Sequence, residues 1–227
     1  MRATRSNEPL PCHDLFIEHY LAQFNEAVRR VSLAEINRAN HALLAAFERG
    51  AWVFVAGNGG SASLASHLAC DLEKTVSGKD PRAAKKRFRV QSLVDNVARL
   101  TAWANDETYD CVFSEPLRNQ ASTNDVLVVI TASGNSPNVV GALETARDLG
   151  LVTIGCLGFD GGKAAALCDV PLLVPVNDYG IVEGAHGVIA HLMTSWLTRA
   201  VDTLRQTHAL GDQRFASARA AIAGDER

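Results

Sequence analysis

The stretch Trp52-Val53-Phe54-Val55-Ala56-Gly57-Asn58-Gly59-Gly60-Ser61 leads from an apolar run into a glycine-rich turn. Leu64, Leu68 and Leu72 then repeat every four residues. A short, uninterrupted apolar run bounded by glycine fits a strand buried on both faces, and the leucine stripe that follows fits a helix. The same cadence recurs down the chain. Strands are expected at Trp52 to Ala56, Phe88 to Val94, Val126 to Thr131, Val152 to Leu157 and Val170 to Val174. Helices fit between them at 61–76, 96–105, 137–149 and 161–167, and a long one at 180–204 closes the set. Val- and Ile-rich strands separated by helices predict an α/β fold, a five-stranded parallel sheet covered on both sides. Right-handed crossovers make that sheet doubly wound.

Upstream, Leu15, Phe16, Tyr20, Leu21, Phe24 and Val28 recur at helical spacing, as do Ile36, Ala39, Leu43, Leu44 and Phe47, and Gly50 follows as a stop. Residues 1–50 are therefore read as an N-terminal helical arm suited to oligomerisation, 51–206 as the sheet domain and 207–227 as a C-terminal tail. The 227 residues are 47% hydrophobic but 6% aromatic, with a net charge of -3. This is too apolar for a disordered chain, and no apolar run approaches the ~20 residues of a membrane span. The near-neutral balance makes nucleic acid an unlikely partner. Six Lys or Arg between Lys79 and Arg89 have only Phe88 among them, so they read as a solvated loop without a stacking platform. The first residues lack the apolar core of a signal peptide, and five cysteines contain no C-x-x-C pair. Both features suit reduced thiols in a cytoplasm. Cys156 and Cys168, in apolar surroundings, are expected in the core.

In open α/β sheets ligands bind beyond the carboxyl ends of the strands. Two such ends carry similar loops: Gly57-Asn58-Gly59-Gly60-Ser61 after the first strand and Thr131-Ala132-Ser133-Gly134-Asn135-Ser136 after the third. Glycines admit close approach of an anion, hydroxyls add donors, and the following helix aims free N–H groups at the same spot. A nucleotide cofactor is not expected. Gly57, Gly59 and Ala62 fit the relaxed dinucleotide fingerprint, but Asp95 lies nearly twice too far along to complete it. Gly161-Gly162-Lys163 lacks the upstream glycine and following hydroxyl of a Walker loop.

Acid–base chemistry has its candidates on the helix after the first loop and on the closing helix. His67 and Asp71 are four residues apart and share a helix face. Glu183 and His191, eight apart with His186 between them, lie broadly on one side of the closing helix. A carboxylate and a histidine can together move a proton between neighbouring carbons and manage protons on the adjoining oxygens. Each residue also fits a plain structural role, such as an interior histidine or a first-turn acid. Asp95 and Asn96, and Asn105 with Asp106, sit near strand or helix ends where turn chemistry would equally place them.

The motifs GNGGSAS (57–63) and SGNSPNV (133–139), with the segment from Asp178-Tyr179-Gly180 to His191, resemble the sugar isomerase (SIS) domain family. Within it the chain is most similar to the phosphoheptose isomerases, over roughly residues 13–204. The resemblance implies an aldose–ketose isomerase that interconverts sedoheptulose 7-phosphate and a heptose 7-phosphate through an enediol. It implies phosphate contacts from Ser61, Thr131, Ser133 and Ser136, with Asn58 and Gly59 lining the first loop and Asp95 facing the sugar hydroxyls. Asp71 matches the family's glutamate base and His191 its partner. His67, Asp71, Glu183 and His191 match a set that in some members holds Zn2+ or a similar divalent metal. The resemblance further implies a homotetramer with sites lined by neighbouring subunits. Three positions depart from the pattern: Asp71 is one methylene short, Glu183 stands for glutamine, and Ala132 lacks a hydroxyl. A non-catalytic phosphosugar-binding regulator or adaptor is the alternative these departures leave open.

Overall fold

A computed structural model describes residues 12–78 and 86–224, without side chains beyond residue 207. Most of the basic stretch, residues 79–85, lies outside the described residues. Two helices open the fold, α1 (His13–Arg29) and α2 (Leu33–Arg49). Ser32 caps α2 by accepting from the Glu35 N–H, and Gly50 ends it at φ 73°. There follow β1 (Trp52–Gly57), α3 (Gly60–Cys70), a π turn (Asp71–Thr75), β2 (Arg89–Ser92) and α4 (Val97–Asp106). A 3-10 turn (Tyr109–Cys111) and α5 (Ser114–Gln120) precede β3 (Val126–Thr131) and α6 (Pro137–Asp148). The chain continues through β4 (Val152–Gly158), α7 (Gly162–Ala165), β5 (Val170–Val174) and α8 (Tyr179–Gly224).

All five strands are parallel, in the order β2-β1-β3-β4-β5. The order reverses between β1 and β3, where Gly57 pairs in register with Ile130. The chain leaves β1 toward one edge and β3 toward the other, and this divergence opens a crevice at their carboxyl ends.

Alternation along each strand divides the core into two layers. Val53 and Val55, Val126, Val128 and Ile130, and Leu172 and Val174 face the layer that includes α2, α3 and α8. Phe54 and Ala56, Leu127 and Val129, and Leu157 face the opposite layer with α5 and α6. Helix α8 crosses the first layer on a stripe of Val182, Ala185, Ile189, Met193, Leu197 and Val201, all buried. Burial of each larger member contributes about 1.5–3 kcal/mol.

The expected strands are present, with β2 cut to four residues, and Phe88 packs on Phe47 just before it. The 3-10 turn and α5 fall where no element was expected; α5 is a single seven-residue segment containing Pro116, too short for a periodic signal. The closing helix continues through the expected tail to Gly224. Helix α2 is built into the sheet's core through Ile36, Ala39, Leu43, Ala46 and Phe47. Tyr20 and Phe24 of α1 rest over Gly180 and Gly184 of α8. The outer side of α1 leaves Leu15, Phe16, Ile17 and Leu21 exposed. Cys156 is buried and Cys168 half-buried, and burial pushes both thiols up to about 12.

Candidate active site

Both glycine-serine loops open on the crevice, side by side. The first leads into α3, whose N-terminus has Gly59 at the cap and no side-chain cap bond. The second leads into α6, where Ser136 occupies the cap position but its hydroxyl makes no cap bond. Two helix N-termini with uncommitted donors, set on adjacent strands, form a place for an anion.

Side chains stiffen this arrangement. Asn58 and Asn138 exchange amide hydrogen bonds of 2.8 and 2.9 Å, and the Tyr109 hydroxyl donates to Asn58 Oδ1 at 3.1 Å. Asn58 therefore ties the first loop to the start of α6, just beyond the second. Thr131 is buried, and its Oγ1 accepts from the Gly134 N–H at 3.2 Å. Ser133 Oγ accepts from the Asn135 N–H at 3.3 Å. Behind the second loop the β4–α7 turn presses close: the Ala164 N–H donates to the Gly134 carbonyl, and the Lys163 N–H donates to Asn135 Oδ1. Gly134 has φ 63°, and a Cβ there would lie 2.0 Å from the Gly161 carbonyl oxygen. Only glycine satisfies both conditions.

Between α3 and α8 lies a cleft of about 250 Å³, lined by Gly60, Ser61, His67, Ile130, Glu183 and His186 among others. At one end Glu183 lies over the start of α3, where a Cβ on Gly60 would sit 2.7 Å from Glu183 Oε2. His67, which lines the cleft, meets Asp71 and His191. Asp71 Oδ2 is 3.7 Å from His67 Nε2 and 3.4 Å from His191 Nδ1, and the two rings stand edge to face with centroids 4.9 Å apart. Asp71 Oδ1 accepts from the Thr75 hydroxyl at 3.0 Å. The Asp71 side chain is 17% exposed, while both imidazoles remain open to solvent.

One donor atom from each of His67, Asp71 and His191 falls within 4.8 Å of the others. Two imidazoles and a carboxylate make a donor set suited to a divalent ion with a free coordination position. Glu183 is not part of that cluster. Eight residues of helix separate it from His191, about 12 Å along the axis, so sharing a side of α8 does not bring them to one point. Asp95 faces elsewhere: it accepts from the Ser66 hydroxyl and lines a separate groove with Glu73 and Gln91. Asn96 caps α4 through the Arg99 N–H, and Asn105 bonds Asp106. Ala132 is buried in the core.

His186 was legible in the sequence only as a residue between Glu183 and His191. Its spacing puts it on the apolar stripe of α8, where it is fully buried. Among the described residues neither ring nitrogen has a partner in hydrogen-bonding geometry, and burial holds its pKa down to about 4, with the Leu157 backbone pulling weakly the other way. It is a neutral imidazole beside the cleft.

Residues 19–158 match the SIS domain family. The phosphoheptose isomerase of Mycobacterium tuberculosis (strain H37Ra) is 34% identical over 194 residues, covering 85% of this chain and 96% of the relative. That of Aliarcobacter butzleri is 38% identical over 156 residues, 69% of this chain and 80% of the relative. Among solved structures, phosphoheptose isomerase GmhA from Neisseria gonorrhoeae superposes with a TM-score of 0.74 at 28% identity, over 82% of this chain and 98% of that one. With its sheet order, its paired loops and these relatives over most of its length, the chain belongs to the SIS domain family, among the phosphoheptose isomerases.

Proposed function

We propose that the protein is an aldose–ketose isomerase of a seven-carbon sugar phosphate, interconverting sedoheptulose 7-phosphate and the corresponding aldose phosphate through an enediol. The observation that carries the reading is the union of two uncapped helix N-termini at the sheet's switch point with a carboxylate held against two histidines across the same cleft. The phosphate sits at the loops, on backbone N–H groups with the hydroxyls of Ser61, Thr131, Ser133 and Ser136. The carbonyl end then extends toward Asp71.

Asp71 takes the proton from the carbon beside the carbonyl, and His191 moves a proton between the two neighbouring oxygens. The short aspartate is compatible with this role because its Oδ2 still reaches both imidazoles. That contact favours a working isomerase over a phosphosugar-binding adaptor. His67, Asp71 and His191 are the residues that would hold zinc or a similar divalent ion, with Glu183 near the substrate's path. Such an ion, when bound, would polarise the carbonyl and stabilise the enediolate.

The protein works in the cytoplasm. Among the described residues no helix is long and apolar enough to cross a membrane. The exposed apolar side of α1, with Val188 and Leu192 on α8, supports assembly into a homotetramer through the N-terminal helices. Residues 51–206 carry the phosphosugar chemistry and 207–227 are a tail, of which the part as far as Gly224 continues α8.

Turnover of sedoheptulose 7-phosphate tests the reading. Wild type is expected to convert it, and Asp71→Asn and His191→Ala are each expected to lose conversion while keeping the wild-type circular dichroism spectrum. Unchanged turnover in both variants would sink the assignment.

A further inference from the structure

The carboxylate of Asp71 has its two oxygens committed differently. Oδ2 faces His67 and His191 at 3.7 and 3.4 Å, whereas Oδ1 accepts from Thr75 Oγ1 at 3.0 Å. An aspartate on a helix has a soft terminal torsion that exchanges the two oxygens and swings the carboxylate plane. The Thr75 hydroxyl is the one group of the described residues that bonds the oxygen turned away from the histidines.

The behaviour of Thr75 differs from that of five other helical threonines in this protein. Thr101, Thr194, Thr198, Thr203 and Thr207 each donate to the backbone carbonyl four residues back. That is the usual outlet for a helical hydroxyl. Thr75 has Asp71 four residues back, but the helix widens there into a π turn, and the Asp71 carbonyl accepts instead from the Val76 N–H at 3.0 Å. In this widened turn the Thr75 hydroxyl donates to the Asp71 side chain and not to its carbonyl. Single π turns of this kind recur at functional sites. Here the turn begins at the residue that carries the proposed chemistry.

We propose that Thr75 is a positioning residue, whose hydroxyl holds Asp71 Oδ1 so that Oδ2 stays presented to His67 and His191. The proposal rests on the reading of Asp71 as the proton-transferring carboxylate. It gives the shorter side chain at this position a fixed orientation that its own torsions do not supply. A hydrogen bond that served only the helix would leave turnover unaffected and show in stability alone.

The test uses the full-length chain as wild type, Thr75→Val, Thr75→Ser and Asp71→Asn. For Thr75→Val, kcat with sedoheptulose 7-phosphate is expected to fall about 10-fold or more, because small misplacements of a reacting group are costly. KM is expected to stay within about 2-fold, since the phosphate loops are untouched. Thr75→Ser keeps the hydroxyl and is expected to restore most of the rate. A crystal structure of Thr75→Val reads the same claim without turnover: the Asp71 carboxylate should be rotated and its contact with His191 lost. An unrotated carboxylate in that structure, wild-type kcat in Thr75→Val, or an equal loss in Thr75→Ser overturns the positioning role. Wild-type turnover in Asp71→Asn instead overturns the catalytic reading beneath it, and the two failures are thereby told apart.

Discussion

Acidification should destabilise this protein through His186, by an amount that follows from its burial. The ring is fully enclosed in the α8 stripe, and its pKa is lowered from 6.5 to about 4 chiefly by desolvation. In the unfolded chain the same imidazole binds a proton near the ordinary value. Between those two values the unfolded state holds a proton that the native state refuses, so stability falls as pH drops through that window. The contribution is absent above pH 6.5, grows toward pH 4 and then levels off. At 1.36 kcal/mol per unit it amounts to about 3 kcal/mol in full. In a domain of this size that corresponds to a fall in Tm of roughly 6–12 °C. Other groups titrate over the same range, so the quantity to measure is a difference. Urea melts of wild type and His186→Met, taken at intervals from pH about 7.5 to about 4.5, isolate the imidazole. Methionine fills similar space and brings no orphaned nitrogens, so it should cost less than ~1.5 kcal/mol at neutral pH. The stability gap should then move steadily in the variant's favour as pH falls. Parallel curves for the two proteins would mean that the buried imidazole does not set this pH dependence.

Other consequences can be checked in the same laboratory. Gly134→Ala forces a Cβ against the Gly161 carbonyl at a positive φ, so it should cost more than about 1 kcal/mol and sharply weaken sugar-phosphate binding by calorimetry. Asp125 is buried and accepts from the N–H groups of Trp52 and Ser122, both at 2.8 Å. Asp125→Ala strands both donors and should lower stability by about 2–4 kcal/mol in denaturant melts, without altering KM in what remains folded. His67→Ala removes one of the three clustered donors and should weaken zinc binding at least about 10-fold by competition with a chromophoric chelator.

Much of the fold was legible because its signals are local and periodic. The runs Val126–Thr131 and Val170–Val174 match their strands residue for residue, being apolar blocks between turn signals. The two glycine-serine loops were legible in turn because glycine and hydroxyl residues at strand ends have few other uses. What escaped depends on distance in space. Asn58 was expected in the loop, but its amide finds Asn138, eighty positions along the chain. Asp95 finds Ser66, and Glu183 stays at Gly60 because α8 is straight enough to carry it two turns from His191. The π turn at Asp71 left no trace in periodicity, yet it redirects Thr75. His186 sat in an apolar stripe that explained its position without revealing that its nitrogens are unpartnered.

In the proposed chemistry Asp71, held against two histidines, moves a proton on a sugar phosphate anchored at the paired loops. The most direct test is conversion of sedoheptulose 7-phosphate in D2O followed by NMR, with wild type beside Asp71→Asn. Wild type should yield aldose phosphate carrying deuterium at the carbon next to the aldehyde, and Asp71→Asn should yield none. Product formed by Asp71→Asn at the wild-type rate, or none formed by wild type, would contradict the account.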